Sequence, residues 1–145
     1  MGIQNFFTAD QQNAIQQAIA DAELNTSGEI RVHIDSRCKG EPKAAAIAVF
    51  ETLKMHETAL RNAVLFYLAV DDHKFAILGD QGIDNAVPDD FWDSVRDTML
   101  MHFKRKEFAE GLCRGILMAG EKLKTHFPYQ EDDTNELSND ISFGE

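Results

Sequence analysis

From Glu29 to Asp35 the chain reads Glu-Ile-Arg-Val-His-Ile-Asp, a strict alternation with Ile30, Val32 and Ile34 on one face. Glu29, Arg31, His33 and Asp35 share the other face, and a period of two specifies a β-strand. A strand with one polar face is unsuited to a place between two apolar layers, so it is expected near an edge or beside a cleft. Ala63 to Val70 is instead an unbroken apolar run between Arg61-Asn62 and Asp71-Asp72. That pattern predicts a central strand buried on both faces. Asp71-Asp72-His73 makes a short turn, and Lys74 to Leu78 returns as the second arm of a hairpin.

The remaining apolar positions recur at helical spacing. Thr8-Ala9-Asp10-Gln11 is a capping box, and Ala14, Ile15, Ala18, Ile19 and Ala22 predict a helix over about residues 9–24. Glu41-Pro42 opens a second helix, with Ala46, Val49, Phe50 and Leu53 as its inner stripe. Val87-Pro88-Asp89-Asp90 places Pro and two acids in the first turn of a third, followed by Phe91, Trp92, Val95, Met99 and His102. Phe108, Leu112, Ile116, Ala119 and Leu123 mark a last helix, whose Gly111 and Gly115 predict close packing on a neighbour. The order α-β-α-β-β-α-α, with a helix crossing between the first two strands, predicts an α/β domain with a right-handed parallel unit.

A chain of 145 residues fits one such domain, burying roughly 68% of its unfolded surface. With 43% apolar and 27% charged residues it reads as a soluble globular protein. Fourteen Lys and Arg against 25 Asp and Glu leave a net charge of −11, which argues against nucleic acid as a partner. No apolar run approaches the roughly 20 residues of a membrane span, so direct membrane insertion is not expected. The first residues lack a basic n-region and a long apolar stretch, and two cysteines make no disulfide framework, so a cytoplasmic location is expected. Cys113 falls inside a helical pattern as a buried thiol, whereas Cys38 follows a strand and is expected at the surface. Residues 1–127 form the domain on this reading. Residues 128–145 carry six acids and no Lys or Arg, and are expected to be an acidic, flexible arm with Leu137, Ile141 and Phe143 as docking points.

In open parallel sheets ligands bind beyond the carboxyl ends of the strands, which here are Asp35 and Asp71-Asp72. The loop Gly79-Asp80-Gln81-Gly82-Ile83-Asp84 adds two further carboxylates, unless the returning strand carries them to the opposite end of the sheet. Carboxylates with backbone carbonyls suit a hard cation, although Asp71-Asp72 equally serves to solvate a turn. No nucleophile elbow, phosphate loop or zinc-protease motif is present. His33 can titrate beside Glu29, and the Lys104-Arg105-Lys106 run reads as a solvated connection.

Together these features resemble the TPM domain family, founded on a plant thylakoid-lumen protein with reported acid phosphatase activity, a photosystem II accessory protein and a nematode modulator of acetylcholine receptors. The matching segments are Ser27 to Val32, Arg61 to Ala69, Asp71 to Gly79, Gln81 to Asp84 and Phe103 to Gly120, in that order. They span roughly residues 5–127. The resemblance implies an α/β/α sandwich around a small mixed sheet, Rossmann-like and forming a single domain. It also implies a calcium or magnesium site that maps onto Asp71 and Asp72, with Asp84 next, and Asp35 at the end of the first strand is the further ligand such an ion would need. Asp80, His33 and Asn62 are then the polar contacts of the cleft or of a bound phosphate, and no organic cofactor is expected. Typical members read Gly-Tyr-Gly-Leu-Glu after the hairpin, and Asp80 here replaces the first glycine. The function implied is a non-catalytic divalent-cation or protein-binding module assisting a membrane-associated complex, with a membrane-bound TPM protein as partner. The alternative is a metal-dependent acid phosphatase.

Overall fold

In the computed structural model, which describes residues 3–129 and 137–144, Gln11 N–H donates to Thr8 Oγ1 (3.1 Å) and Thr8 N–H to Gln11 Oε1 (2.9 Å). This closed capping box starts α1 (Ala9–Glu23), whose buried residues are Ile15, Ala18, Ile19 and Ala22. Then follow β1 (Glu29–Asp35), α2 (Pro42–Thr52), β2 (Ala63–Ala69), β3 (Lys74–Gly79), α3 (Gln81–Asp84), α4 (Asp93–Lys104), α5 (Phe108–Leu123) and β4 (Ser142–Phe143). The four strands form one mixed sheet in the order β3-β2-β1-β4, with β1 parallel to β2 and β4, and β3 antiparallel to β2.

The period-two faces of the strands decide the layers. Ile30, Val32 and Ile34 align with Val64, Phe66 and Leu68, and this face packs on α1, α4 and α5. The opposite face, Ala63, Leu65, Tyr67 and Ala69, packs on Ala46 and Phe50 of α2 and on Met55. Every residue of β2 is buried, as its unbroken apolar run predicts. Fully burying one such side chain contributes about 1.5–3 kcal/mol. The result is the expected α/β/α sandwich in a single α/β domain. A Cβ on Gly111 would meet Phe103, and one on Gly115 would meet Met99, so the glycines do seat α5 closely on α4.

Four local expectations are corrected. The polar-faced strand β1 is interior, because Ser142–Phe143 pairs along its outer edge, and Glu29 and His33 are buried. The segment after β3 is a one-turn helix rather than a loop, since Asp80 accepts a hydrogen bond from Gln81 N–H at 2.8 Å and caps it. The third helix of the sequence pattern begins at Asp93 rather than at Pro88. Turns closed by Phe91 N–H to Pro88 O and Asp93 N–H to Asp90 O swing Phe91 and Trp92 into the core first. Cys38 is buried rather than exposed, its thiol donating to Gly40 O at 3.4 Å.

Of the arm at 128–145, residues 130–136 and 145 lie outside the described residues. Ile141 is buried in the main core, Phe143 packs against that core, and Leu137 packs against the α2-side cluster. Among the described residues no helix is long and apolar enough to cross a membrane.

Candidate functional site

The parallel strands β1 and β2 end together, and the loops that follow are tied to one another. Val70 N–H donates to Asp35 O at 3.0 Å and Asp71 N–H to Ser36 O at 2.8 Å. Asp72 Oδ2 accepts the Cys38 N–H at 2.7 Å. Lys74 Nζ donates to two carbonyl oxygens of the β1 loop, Cys38 O and Gly40 O, each at 3.0 Å. One positive charge thus already sits where backbone oxygens converge, with Asp72 bound to the same loop and Asp71 exposed beside it.

Beneath this loop, β1 and its neighbours assemble a polar relay. Register places His33 beside Tyr67 and Ser142, because the three occupy the same level of β1, β2 and β4. The Tyr67 hydroxyl donates to Asp35 Oδ2 at 2.7 Å, and His33 Nε2 meets Asp35 Oδ1 at 2.8 Å. His33 Nδ1 lies 2.8 Å from Ser142 Oγ, and the imidazole stacks parallel to the Tyr67 ring at 5.9 Å. A carboxylate only accepts, so Nε2 donates to Asp35, and in the neutral ring Nδ1 accepts from Ser142. Burial, then the bond to Asp35, pushes the Tyr67 phenol well above its ordinary range, so it remains a donor. Gly144 closes the relay, since a Cβ there would overlap the Asp35 carboxylate.

The antiparallel return of β3 carries the other candidates away. Gly79 pairs with Val64, at the start of β2, so Asp80 and Asp84 lie a strand length from Asp71 and Asp72. Seven residues at 3.3 Å each make that roughly 20 Å. Asp80, 6% exposed, is clasped by Arg61 through Nε to Oδ2 at 2.7 Å and Nη2 to Oδ1 at 2.9 Å. Asp84 is exposed and lines a cleft of about 630 Å³ with Arg61, His56 and Glu51. Asn62 is buried, takes its N–H to Thr58 Oγ1 at 3.3 Å, and accepts Glu29 N–H at 3.3 Å, joining the starts of β1 and β2. The structure therefore brings Asp35, Asp71 and Asp72 to one end of the sheet and Asp80, Asp84 and Asn62 to the other. Among the described residues no three His, Cys, Asp or Glu side chains form a metal-binding group.

Three contributors escape a reading of motifs. Lys74 reads only as the first residue of the returning arm, yet it supplies the cation of the loops. Tyr67 is the one hydroxyl within an apolar run, and only strand register reveals that it faces Asp35. The third is a carboxyl pair at the other end of β1's outer edge: Glu23 Oε2 accepts the Ile30 N–H at 3.0 Å, with Glu29 and Asn139 adjacent. Desolvation by burial, reinforced by Glu29, pushes the Glu23 carboxyl up to about 8. The two thiols are unpaired. Burial, with Glu110, raises that of Cys113 to about 11, which leaves it protonated and a poor nucleophile.

The relay predicts a local rather than a global effect for His33→Ala. Loss of the Ser142 bond is expected to speed amide exchange at Ser142 and Gly144 while β2 stays protected. Equal acceleration in β2 would mean that His33 supports the whole sheet instead of the β4 seam.

The model of a family described as the TPM domain matches residues 3–122. No protein of curated function matches the chain. Among solved structures, the NMR structure of BA42 protein from the psychrophilic bacterium Bizionia argentinensis is similar at a TM-score of 0.92 and 48% identity, over 98% of each chain. The N-terminal domain of a P. gingivalis protein aligns at TM-score 0.70 and 17% identity, over 90% of this chain and 85% of that one. The N-terminal domain of cg2496 from Corynebacterium glutamicum gives 0.64 and 15%, over 99% and 84%. These last two share the fold.

Proposed function

Since this chain belongs to the TPM domain family, we propose that it is a non-catalytic module that takes a divalent cation on the loops after β1 and β2 and serves a protein partner. The observation that supports the cation is the convergence of Cys38 O and Gly40 O on Lys74 Nζ, 3.0 Å from each. Backbone carbonyls and carboxylates are the oxygen donors that calcium and magnesium select. Asp72 is tied to that loop and Asp71 is exposed next to it, so both carboxylates reach an ion that displaces the Lys74 ammonium on its flexible stem. Asp35 takes part by holding the loop through its carbonyl and remains bonded to His33 and Tyr67. Asp84, at the far end of the sheet, takes no part.

An amide-resolved NMR titration with calcium, then magnesium, tests this. Saturable shifts confined to residues 38–40 and 71–74 are expected, with affinity lowered about tenfold or more in Asp71→Asn/Asp72→Asn. Lys74→Met is expected to tighten binding, because the resident charge no longer competes. Diffuse shifts, or an unchanged Asp71→Asn/Asp72→Asn affinity, would overturn the cation site. Turnover of a phosphomonoester by the loaded protein that disappears in that double variant would replace the non-catalytic reading with the hydrolase one.

A further inference from the structure

The strand β3 is an edge of the sheet, and among the described residues no strand lies on its outer side. Its hydrogen-bonding phase follows from one contact. Asp80 N–H donates to Ala63 O at 2.9 Å, which makes that pair a hydrogen-bonded one in the antiparallel register. Alternation then turns the amides of Leu78, Ala76 and Lys74 toward β2, and those of Phe75, Ile77 and Gly79 outward. Natural edge strands are guarded by charge, proline or a bulge. This one reads Lys-Phe-Ala-Ile-Leu-Gly and pairs in register without a bulge. Its single charge is turned onto the carbonyls of Cys38 and Gly40.

A cleft flanks the strand on each face of the sheet. On the α2 side the cleft of about 630 Å³ has apolar walls, Ile47, Phe50 and Leu78, the exposed acids Glu51 and Asp84, and His56 with Arg61, whose charge is already paired with Asp80. On the α4 side a smaller one, about 70 Å³, is lined by Phe75, Leu100, Phe103 and Phe108 together with His73 and Lys104. Ile47 and Leu100 are 43% and 42% exposed, one on each side of the same edge. We infer that β3 captures an extended segment of another protein, adding it as a fifth strand whose side chains alternate between basic and apolar. Such addition derives affinity from main-chain bonds and selectivity from alternate pockets. Lysine or arginine stems cover Ile47 and Phe50 while their heads reach Glu51 and Asp84. The apolar alternates enter the Phe75–Leu100 cleft, and Lys104 there disfavours the reversed facing. A net charge of −11 disfavours a second copy of this chain as the occupant.

The inference deepens the partner half of the proposed function and rests on it only for the existence of a partner. Calcium is read at residues 38–40 and 71–74, so either can fail alone. The probe is the capped peptide Lys-Val-Lys-Ile-Lys-Val-Lys, compared with Glu-Val-Glu-Ile-Glu-Val-Glu, on the full chain. The basic peptide is expected to slow amide exchange at Phe75, Ile77 and Gly79 by about tenfold at saturation. Glu51→Lys is expected to weaken it about tenfold, and Ile77→Pro, which removes an outward donor together with a side chain packed on the core, to abolish it. Should the proline variant not fold, Ile47→Lys, at an exposed site, serves the same purpose. Equal binding of the acidic peptide, or shifts without slowed exchange at those three amides, would overturn the inference. So would a concentration-dependent dimer of the free protein that slows the same amides, since the occupant would then be a second copy.

Discussion

Gly82→Ala is expected to lower the stability of the domain by about 3 kcal/mol, read as a lower urea midpoint at unchanged m. A Cβ at this position would overlap the carbonyl oxygen of Leu60 and lie 2.6 Å from that of Arg61. Both are main-chain atoms with little freedom to move. Arg61 is in the left-handed region at φ 51°, its N–H donates to Thr58 O, and its O accepts the Gly82 N–H at 2.9 Å. Relief requires that the 58–61 turn shift, and the Arg61–Asp80 clasp would move with it. Gly115→Ala is the control. Its new methyl would meet Met99 Sδ at 2.5 Å and Cγ at 2.6 Å, atoms of a flexible but fully buried side chain rather than main chain. Repacking of that buried thioether, partly offset by about 1 kcal/mol of gained helix propensity, is expected to leave a smaller loss of about 1 kcal/mol. If the two variants lose stability equally, crowding by main chain is not what sets Gly82 apart. In the TPM resemblance Gly82 matches the second glycine of the loop. A steric reason at this position accounts for the residue without any ligand.

Glu23 gives the second large effect, and its sign is unusual for a carboxyl group. Most folded-state carboxyls are depressed and stabilise as pH rises, whereas Glu23 is raised from 4.5 to about 8. Between those values the folded chain keeps a proton that the unfolded chain has released, so stability falls as pH rises. The stabilising contribution is complete below about pH 4.5 and lost as pH climbs to 8. Glu23→Gln keeps an oxygen for the Ile30 N–H and removes the ionisation. It is expected to flatten the pH dependence between 5 and 8 and to exceed the native stability at pH 8 by about 2 kcal/mol. Urea midpoints for both proteins at pH 5, 6.5 and 8 test it. Parallel pH profiles would mean that Glu23 is ionised throughout and that the pocket it shares with Glu29 and Asn139 is wetter than its burial implies.

Much of the fold was legible because period-two and period-3.6 patterns are strong in this chain. Ile30–Ile34, Ala63–Val70 and the α1 and α5 stripes each have one arrangement that buries them. The polar face of β1 misled for a definite reason. What covers its edge is two residues, Ser142–Phe143, too few to show any alternation, arriving from 109 positions away. The one-turn helix after Asp80 is likewise shorter than a helical period can reveal. Pro88 and two acids form a sound helix start, yet the burial of Phe91 and Trp92 takes precedence over it. For the site, residue types pointed to the carboxylates but not to their partners. Whether Asp80 and Asp84 joined Asp71 and Asp72 depended on the direction of β3 relative to the parallel pair. The roles of Lys74 and Tyr67 depend on which atoms of other strands stand beside them, a property of register and not of composition.

The lateness of β4 in the chain has a kinetic consequence. On the ribosome, β1, β2 and β3 are complete by Gly79, and α5 follows by Leu123. Synthesis at roughly 5–20 residues per second delays the arrival of Ser142–Phe143 after β3 by several seconds, far longer than a hairpin takes to form. Throughout that interval β1, rather than the two-residue β4, forms the second edge of the nascent sheet, and the cavity that Ile141 fills is vacant. A molecule stalled before residue 141 would therefore be a better substrate for chaperones and proteases than its length suggests. Closing of the seam by His33 and Ser142 marks the point at which the newborn chain loses that exposure.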